Sequence, residues 1–339
     1  MSQTVKPPAL SWEPAGVGPA LSTALTLIKS AAHVVVVAHS SPDGDAISST
    51  LAVGHLLNLL QVPNTLVNED SVPLGLRYLP GADRVVHPLE VAIAPDVVIA
   101  LDCGEPHRLG ATLPAAWLNL PLIVLDHHDK WGFPAHTVAV RDVEAASTGE
   151  IVYRLLVASG VPLDAEMATL LLTSLYFDTG SFRYGCTTSG TMELASALYR
   201  TGVDAWSLTS RIYENQPLAR VRIQGEALRE LRLSECGRLA GFLITSAMQQ
   251  RAGATAEECD GLVNQARAIG GVEIAWQLHA EAGKLRFAMR SRGNLDVTPI
   301  ATNLGFKGNA FASNGWFDAD ADSAVARIES AFAKVYGDS

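Results

Sequence analysis

The sequence predicts an α/β protein of two domains, a larger parallel-sheet domain followed by a smaller α/β domain. Three observations carry this. Between Ala31 and about Ser159, short β-branched apolar runs alternate with longer helix-prone stretches. A polar, charged stretch at 214–233 interrupts the pattern, and strands at a different spacing follow it. A chain of 339 residues is also long for one core and comfortable for two. Strands that are apolar along their whole length, with helices between them, imply a parallel sheet covered on both faces. In such sheets ligands bind beyond the carboxyl ends of the strands.

Each element has its own reason. Met1–Pro19 carries Pro7, Pro8, Pro14 and Pro19 without an apolar signal-peptide core, and reads as a loose arm. Val34–Ala38, Thr65–Val67, Val97–Leu101 and Leu122–Leu125 read as buried strands, with a helix at Ile47–Leu60. Ser147 and Glu150 stand at the spacing of a capping box before the helical stretch Ile151–Ala158. Residues 165–177 read as a buried helix ending near Asp178, and 189–201 as another that stops at Gly202. Downstream, Leu239–Thr245, Glu273–Glu281 and Lys284–Arg290 read as strands. An Ala282-Gly283 turn joins the last two, and Glu257–Ile269 reads as a helix. The expected division is an arm at 1–19, a larger domain at 20–205, a helical linker at 206–235 and a smaller domain at 236–335.

Composition narrows the function classes. A formal net charge of -10 disfavours a broad basic surface and hence a long nucleic-acid track. Short phosphate-bearing substrates remain open, because bound divalent cations and a few arginines reverse the charge locally. No apolar stretch approaches the roughly 20 residues that span a bilayer, so no membrane association is expected. Cys103, Cys186, Cys236 and Cys259 are spread without a CxxC pair and read as reduced thiols of a cytoplasmic protein.

The chemistry is concentrated where apolar runs end. Leu122–Leu125 leads into Asp126-His127-His128, Val34–Val37 into His39, Asp43 and Asp45, and Val97–Leu101 into Asp102. Pro42 and Gly44 would bend the loop so that Asp43 and Asp45 reach a common centre. A carboxylate-rich set with some imidazole suits Mn²⁺ or Mg²⁺ better than zinc. Two such ions about 4 Å apart generate hydroxide and neutralise charge on a phosphoryl group. That arrangement needs about six ligands, and His39, Asp43, Asp45, Asp102, His127 and Asp178 supply them.

HSSPDGDA (39–46), LDCGEPHRLG (101–110), LDHHDK (125–130), AASTGEIVYRLL (145–156) and LYFDTGSFRYGCTT (175–188) together resemble the DHH phosphoesterases. The resembling subgroup has a DHH-associated C-terminal domain. It includes nanoRNase/pAp phosphatases and the cyclic-di-AMP and pApA phosphodiesterases, and the likeness covers about residues 20–330. It implies that His39, Asp43 and Asp102 hold one Mn²⁺ and that Asp45, Asp102, His127 and Asp178 hold the other, with Asp102 bridging. Mg²⁺ or another divalent ion is the alternative. It further implies that His128 touches the scissile phosphate and that Asp126 orients His127. The active site is expected in the interdomain cleft.

Arg290, Ser291 and Arg292 resemble the family's substrate-grip segment, and Lys307-Gly308-Asn309 opens its glycine-rich loop at 307–315. Asn309 stands where the family has His, Lys307 replaces a Gly, and Asn314 replaces another. Arg108 reads equally as a substrate contact or as a surface arginine, and Arg183 reads as structural. His33, His55, His87 and His136 read as packing or surface residues, and His107 matches no ligand position. Trp131 and Phe133 read as rim or core packing in preference to a base platform. The activity implied is two-metal hydrolysis, through a bridging hydroxide, of two- to five-nucleotide RNA, pApA, cyclic-di-AMP or pAp. The alternatives are a catalytically weak nucleotide sensor and a single-strand exonuclease-like nuclease. The oligomeric state is open, a homodimer included.

Overall fold

Valine-rich Val34–Ala38 (β1) is wholly buried near the middle of a six-stranded sheet, as β-branched residues favour. The computed structural model describes residues 4–8, 17–281 and 283–337. The chain divides into two compact units, Met1–Glu214 and Asn215–Ser339.

In the first unit, β1 is joined by Asn64–Val67 (β2), Val85–Val86 (β3), Val97–Leu101 (β4), Leu122–Asp126 (β5) and Val138–Arg141 (β6). The order is β3-β2-β1-β4-β5-β6 and every pairing is parallel. β3 and β6 escape a reading by apolar runs because they are short and only partly buried. One face of the sheet packs against Val17–Ser30 (α1), Gly44–Leu59 (α2), Thr148–Ser159 (α3) and Ala165–Asp178 (α4). Burying each Leu or Ile there contributes roughly 1.5–3 kcal/mol. The opposite face carries Val35, Val37, Val98, Ala100 and Val124, covered by loops and single 3₁₀ turns that bring in Leu109 and Phe133. Both faces are covered, but α-helices lie on one. Ser189–Tyr199 (α5) and Ala205–Tyr213 (α6) complete the unit.

The capping box expected at Ser147 does not form. Ser147 is the N-cap of α3, yet its side chain makes no capping hydrogen bond and instead meets Ser174 Oγ at 2.7 Å. Glu150 accepts from Thr191 Oγ1 at 2.7 Å. Partners from other elements outcompete the local box, because this helix start is buried. The proline-rich arm is also tied down where it is described. Val5 exchanges backbone hydrogen bonds with Leu163 at 2.9 Å, and Pro8 O accepts from Tyr153 at 2.7 Å. Pro14 lies outside the described residues, and Pro19 falls within the first turn of α1.

The second unit begins with Leu218–Arg229 (α7), so the stretch expected to be a linker at 206–235 divides between the units. Its sheet contains Arg232–Leu233 (β7), Leu239–Ile244 (β8), Ile274–Glu281 (β9), Lys284–Ser291 (β10) and Ala312–Phe317 (β11). The order is β11-β10-β9-β8-β7, with β8 and β9 parallel and the other pairs antiparallel. Of the β9–β10 turn, Gly283 is described and Ala282 lies outside the described residues. On one face Trp276, Phe287 and Phe317 pack with Thr298–Leu304 and Ala321–Tyr336. On the other, Phe242 and Ala275 pack with Ser246–Ala252 and Val263–Arg267.

Two expectations change here. The helix expected at Glu257–Ile269 is two short ones, Ala256–Cys259 and Val263–Arg267, because Asp260 leaves the helical region at ψ 138°. The loop expected at 307–315 is a loop only as far as Phe311; from Ala312 it is strand β11, with Ser313 and Phe317 pointing inward in alternation.

Candidate metal centre

β1, β4 and β5 are neighbours in register, so the residues after their carboxyl ends converge. His39 follows β1, Asp102 follows β4, and Asp126 ends β5 with His127 and His128 next. Asp43 caps α2, its Oδ1 accepting from the Ala46 N–H at 3.1 Å, and Asp45 lies in the first turn. Asp178 is the last residue of α4. Gly44 is already helical, so it does not serve as a bend between the carboxylates. A Cβ at Gly44 would lie 2.1 Å from the Phe177 ring, and the close approach of α4 to α2 requires glycine there.

Three sets of ligand atoms each lie within 4.8 Å of one another: His39, Asp43 and Asp102; Asp45, His127 and Asp178; and Asp102, His127 and His128. Asp102 joins them. Its Oδ2 is 3.4 Å from His39 Nε2, while its Oδ1 is 3.5 Å from His127 Nε2 and 3.5 Å from His128 Nδ1. His127 Nε2 also lies 3.2 Å from Asp178 Oδ2 and 3.9 Å from Asp45 Oδ2. All six residues singled out in the sequence are therefore brought together. Asp102 reaches its position with φ at +52°, a left-handed conformation that Asp tolerates better than most residues.

The donor chemistry fits a hard divalent cation: carboxylate oxygens and imidazole nitrogens, without a thiolate. Backbone carbonyls engage the other nitrogen of two rings, Ser40 O at 2.8 Å from His39 Nδ1 and Ala145 O at 3.1 Å from His127 Nδ1. A proton on each Nδ1 leaves the Nε2 lone pair facing the cluster, as ligation requires.

Electrostatics point the same way. Burial, reinforced by the charges of Asp45, Asp43 and Asp102, pushes the Asp178 carboxyl well above the usual carboxylate range. Burial and then the Asp102 charge raise Asp45 as well. For Asp102 burial is outweighed by hydrogen bonds from His127 and His39, which hold it well below that range. His127 is raised well above the ordinary imidazole value, because Asp102 and Asp178 overcome the opposing effect of burial. Negative charge in excess of local cations is the balance of a site built for metal.

Residues 33–175 match the model of the DHH family, N-terminal domain. Over 297 residues the chain is 30% identical to the "Bifunctional oligoribonuclease and PAP phosphatase NrnA" of Thermus thermophilus, covering 87% of each protein. The chain belongs to the DHH family. The protein of the same name from Bacillus subtilis is 25% identical over 295 residues, covering 85% of this chain and 91% of that one. In fold, the chain is similar to a crystal structure of an exopolyphosphatase-related protein from Bacteroides fragilis. The TM-score is 0.86 at 24% identity, over 93% of this chain and 96% of that one.

In the DHH triplet one expectation is corrected. Asp126 is buried and its Oδ1 pairs with His128 Nδ1 at 2.8 Å; its partner is His128, not His127. Successive side chains of an extended segment alternate, so residues 126 and 128 share a side while 127 turns away. His127 is oriented by the Ala145 carbonyl instead. His128 thus presents Nε2 outward from a side chain 36% exposed.

Several residues that shape the site carry no motif signal. Arg141 on β6 donates to the His128 carbonyl from Nε at 3.0 Å and also to the Asp129 carbonyl, clamping the backbone after the triplet. Asn68 donates to the His39 carbonyl at 3.1 Å, and Asp70 accepts from the Ser41 N–H at 2.6 Å. A polar residue closing β2 is the one hint of them in the sequence. Arg108 supports the same loop through its carbonyl, which accepts from the Ser40 N–H at 2.7 Å. Arg183 bonds the Gly180 carbonyl of its own turn, a structural role. Phe133 is buried and Trp131 half-exposed beneath the Arg141 guanidinium. His33 meets Thr65, His87 meets Thr112, His136 meets the Leu118 carbonyl, and His55 pairs with Asp164 and Glu166.

In the second unit, the Arg290 guanidinium is steadied by the Met289 carbonyl at 2.8 Å and Asn314 Oδ1 at 3.1 Å. Arg292 and Lys307 are exposed. Ser291 is buried, its hydroxyl engaged by the Leu295 carbonyl and the Gly293 N–H, so it shapes the turn and does not present a donor outward. Asn309 Oδ1 accepts from the N–H groups of Phe311 and Ala312, which fixes the turn at Gly308 through the carbonyl side of the amide.

Proposed function

We propose that this chain is a divalent-cation-dependent phosphoesterase that hydrolyses short nucleotides: RNAs of a few residues, pApA, cyclic-di-AMP and pAp. The observation that carries the reading is Asp102, whose two carboxylate oxygens face separate ligand sets, one with His39 and one with His127. The substrate class is supported by the relatives named oligoribonuclease and PAP phosphatase.

We assign His39, Asp43 and Asp102 to one ion, and Asp45, Asp102, His127 and Asp178 to a second, with Mn²⁺ preferred and Mg²⁺ the alternative. A pair of divalent ions bound there supplies Lewis acidity, lowering the pKa of water and offsetting charge on the phosphoryl group. The residues do the rest. Asp126 holds Nδ1 of His128, which leaves Nε2 to donate, when protonated, to a phosphoryl oxygen. Arg141 keeps that ring's backbone in place. In the second unit, Arg290, Arg292, Lys307 and the turn at Gly308-Asn309 offer guanidinium, ammonium and amide donors suited to phosphate. The four free cysteines suit a reducing compartment, and we place the protein in the cytoplasm.

The test is direct. Full-length protein with Mn²⁺ is expected to release mononucleotides from a dinucleotide and phosphate from pAp. Both substrates left intact by metal-loaded protein would sink the catalytic reading and leave a nucleotide-binding sensor in its place.

A further inference from the structure

The start of α3 does something that no ligand motif requires. Thr148 is wholly buried and its two donors go to two carboxylates of the metal centre. Its backbone N–H donates to Asp45 Oδ2 at 2.8 Å, and its hydroxyl donates to Asp102 Oδ1 at 3.1 Å. Asp45 also accepts from the Ser49 hydroxyl at 2.9 Å on Oδ1. The turn that presents Thr148 is itself locked. The Gly149 N–H donates to Ser174 Oγ at 3.0 Å, and Ser147 Oγ meets the same atom at 2.7 Å. A Cβ at Gly149 would lie 2.1 Å from Ser174 Oγ, so only glycine lets α3 come this close to α4.

We infer that Thr148 is the positioning residue for the bridging carboxylate. This rests on the two-ion reading of the site. Asp102 serves two ligand sets only while one oxygen faces His39 and the other faces His127. A carboxylate on a two-bond side chain swivels about its Cβ–Cγ bond unless something holds an oxygen. The Thr148 hydroxyl holds Oδ1, and its N–H, together with the positive end of a 12-residue helix, fixes Asp45 beside it. One residue therefore sets the relative orientation of a carboxylate from α2 and the carboxylate that follows β4.

The experiment compares full-length wild type, Thr148→Val, Thr148→Ala and Thr148→Ser. Each is stripped with chelator, checked for native circular dichroism and titrated with Mn²⁺ by calorimetry. Val and Ala remove the hydroxyl and keep the N–H; Ser keeps both. Wild type and Ser are expected to bind alike, while Val and Ala bind about 10–100-fold more weakly, the range for partners that orient a ligand. Two variants guard against crowding by one side chain. Wild-type affinity in a folded Val or Ala variant overturns the inference, and so does a Ser variant as weak as Ala. A wild-type chain that takes up no divalent cation is a different failure, that of the metal reading itself.

Discussion

The functional groups of the two units are held in opposite ways. In the first, Asp45, Asp102 and Asp126 are almost wholly buried, and partners from elements far apart in the chain fix Asp45 and Asp102, while His128 fixes Asp126. In the second, Arg292, Lys307 and Asn309 are exposed on a strand end and a turn, and Arg290 is tied mainly to its own strand and its neighbour. Buried carboxylates carry a large desolvation penalty unless something compensates them, so they persist where function demands fixed geometry. Exposed donors cost little and adapt to what they bind. The first unit fixes its carboxylates and imidazoles in place, whereas the second leaves most of its cationic and amide donors at the surface.

The contrast breaks or holds first on kinetics. Asp126→Asn is expected to lower kcat by about 100-fold with KM little changed, because the orientation and tautomer of His128 are lost. Arg290→Ala is expected to raise KM by about 10-fold with a smaller effect on kcat, as for loss of one charge-assisted contact. Steady-state rates on a dinucleotide read both. A change in KM larger than that in kcat for Asp126→Asn, or a change in kcat larger than that in KM for Arg290→Ala, would erase the distinction between the units.

A smaller effect sharpens it in the scaffold. His55 on α2 reaches Asp164 at 2.8 Å and Glu166 at 3.2 Å. Burial lowers its pKa, but Asp164 and Glu166 outweigh that and leave it raised. A pKa raised by folding stabilises fully below the unfolded value of about 6.5 and is lost as pH rises through the folded value. His55→Gln should therefore cost about 1 kcal/mol near pH 6 and less at pH 9, by denaturant melts of the chelator-treated protein. An equal cost at both pH values would contradict this.

Much of the first unit is legible in the sequence, and the reason is physical. A parallel sheet places the ends of β1, β4 and β5 side by side, so apolar runs that close in Asp and His announce a shared site through their pattern alone. Orientation is not legible in that way. Which side chain Asp126 holds depends on strand alternation at the very end of β5, and what Thr148 holds depends on how closely α3 approaches α2 and α4. The second unit is harder. β11 is interrupted by Asn314 and Gly315 and lacks a β-branched run, so its residues read as loop. Its strand state comes from pairing with β10. The break inside the stretch 257–269, by contrast, falls at Asp260-Gly261, where Gly261 adopts φ +74°, a local turn signal that the helical reading passed over.

The central claim is that Asp102 bridges two cations. Diffraction from crystals of the full chain grown with Mn²⁺, measured at the manganese absorption edge, tests it most directly. Two anomalous peaks are expected, one among His39, Asp43 and Asp102 and one among Asp45, Asp102, His127 and Asp178. A single peak, or two peaks that do not share Asp102, would contradict it.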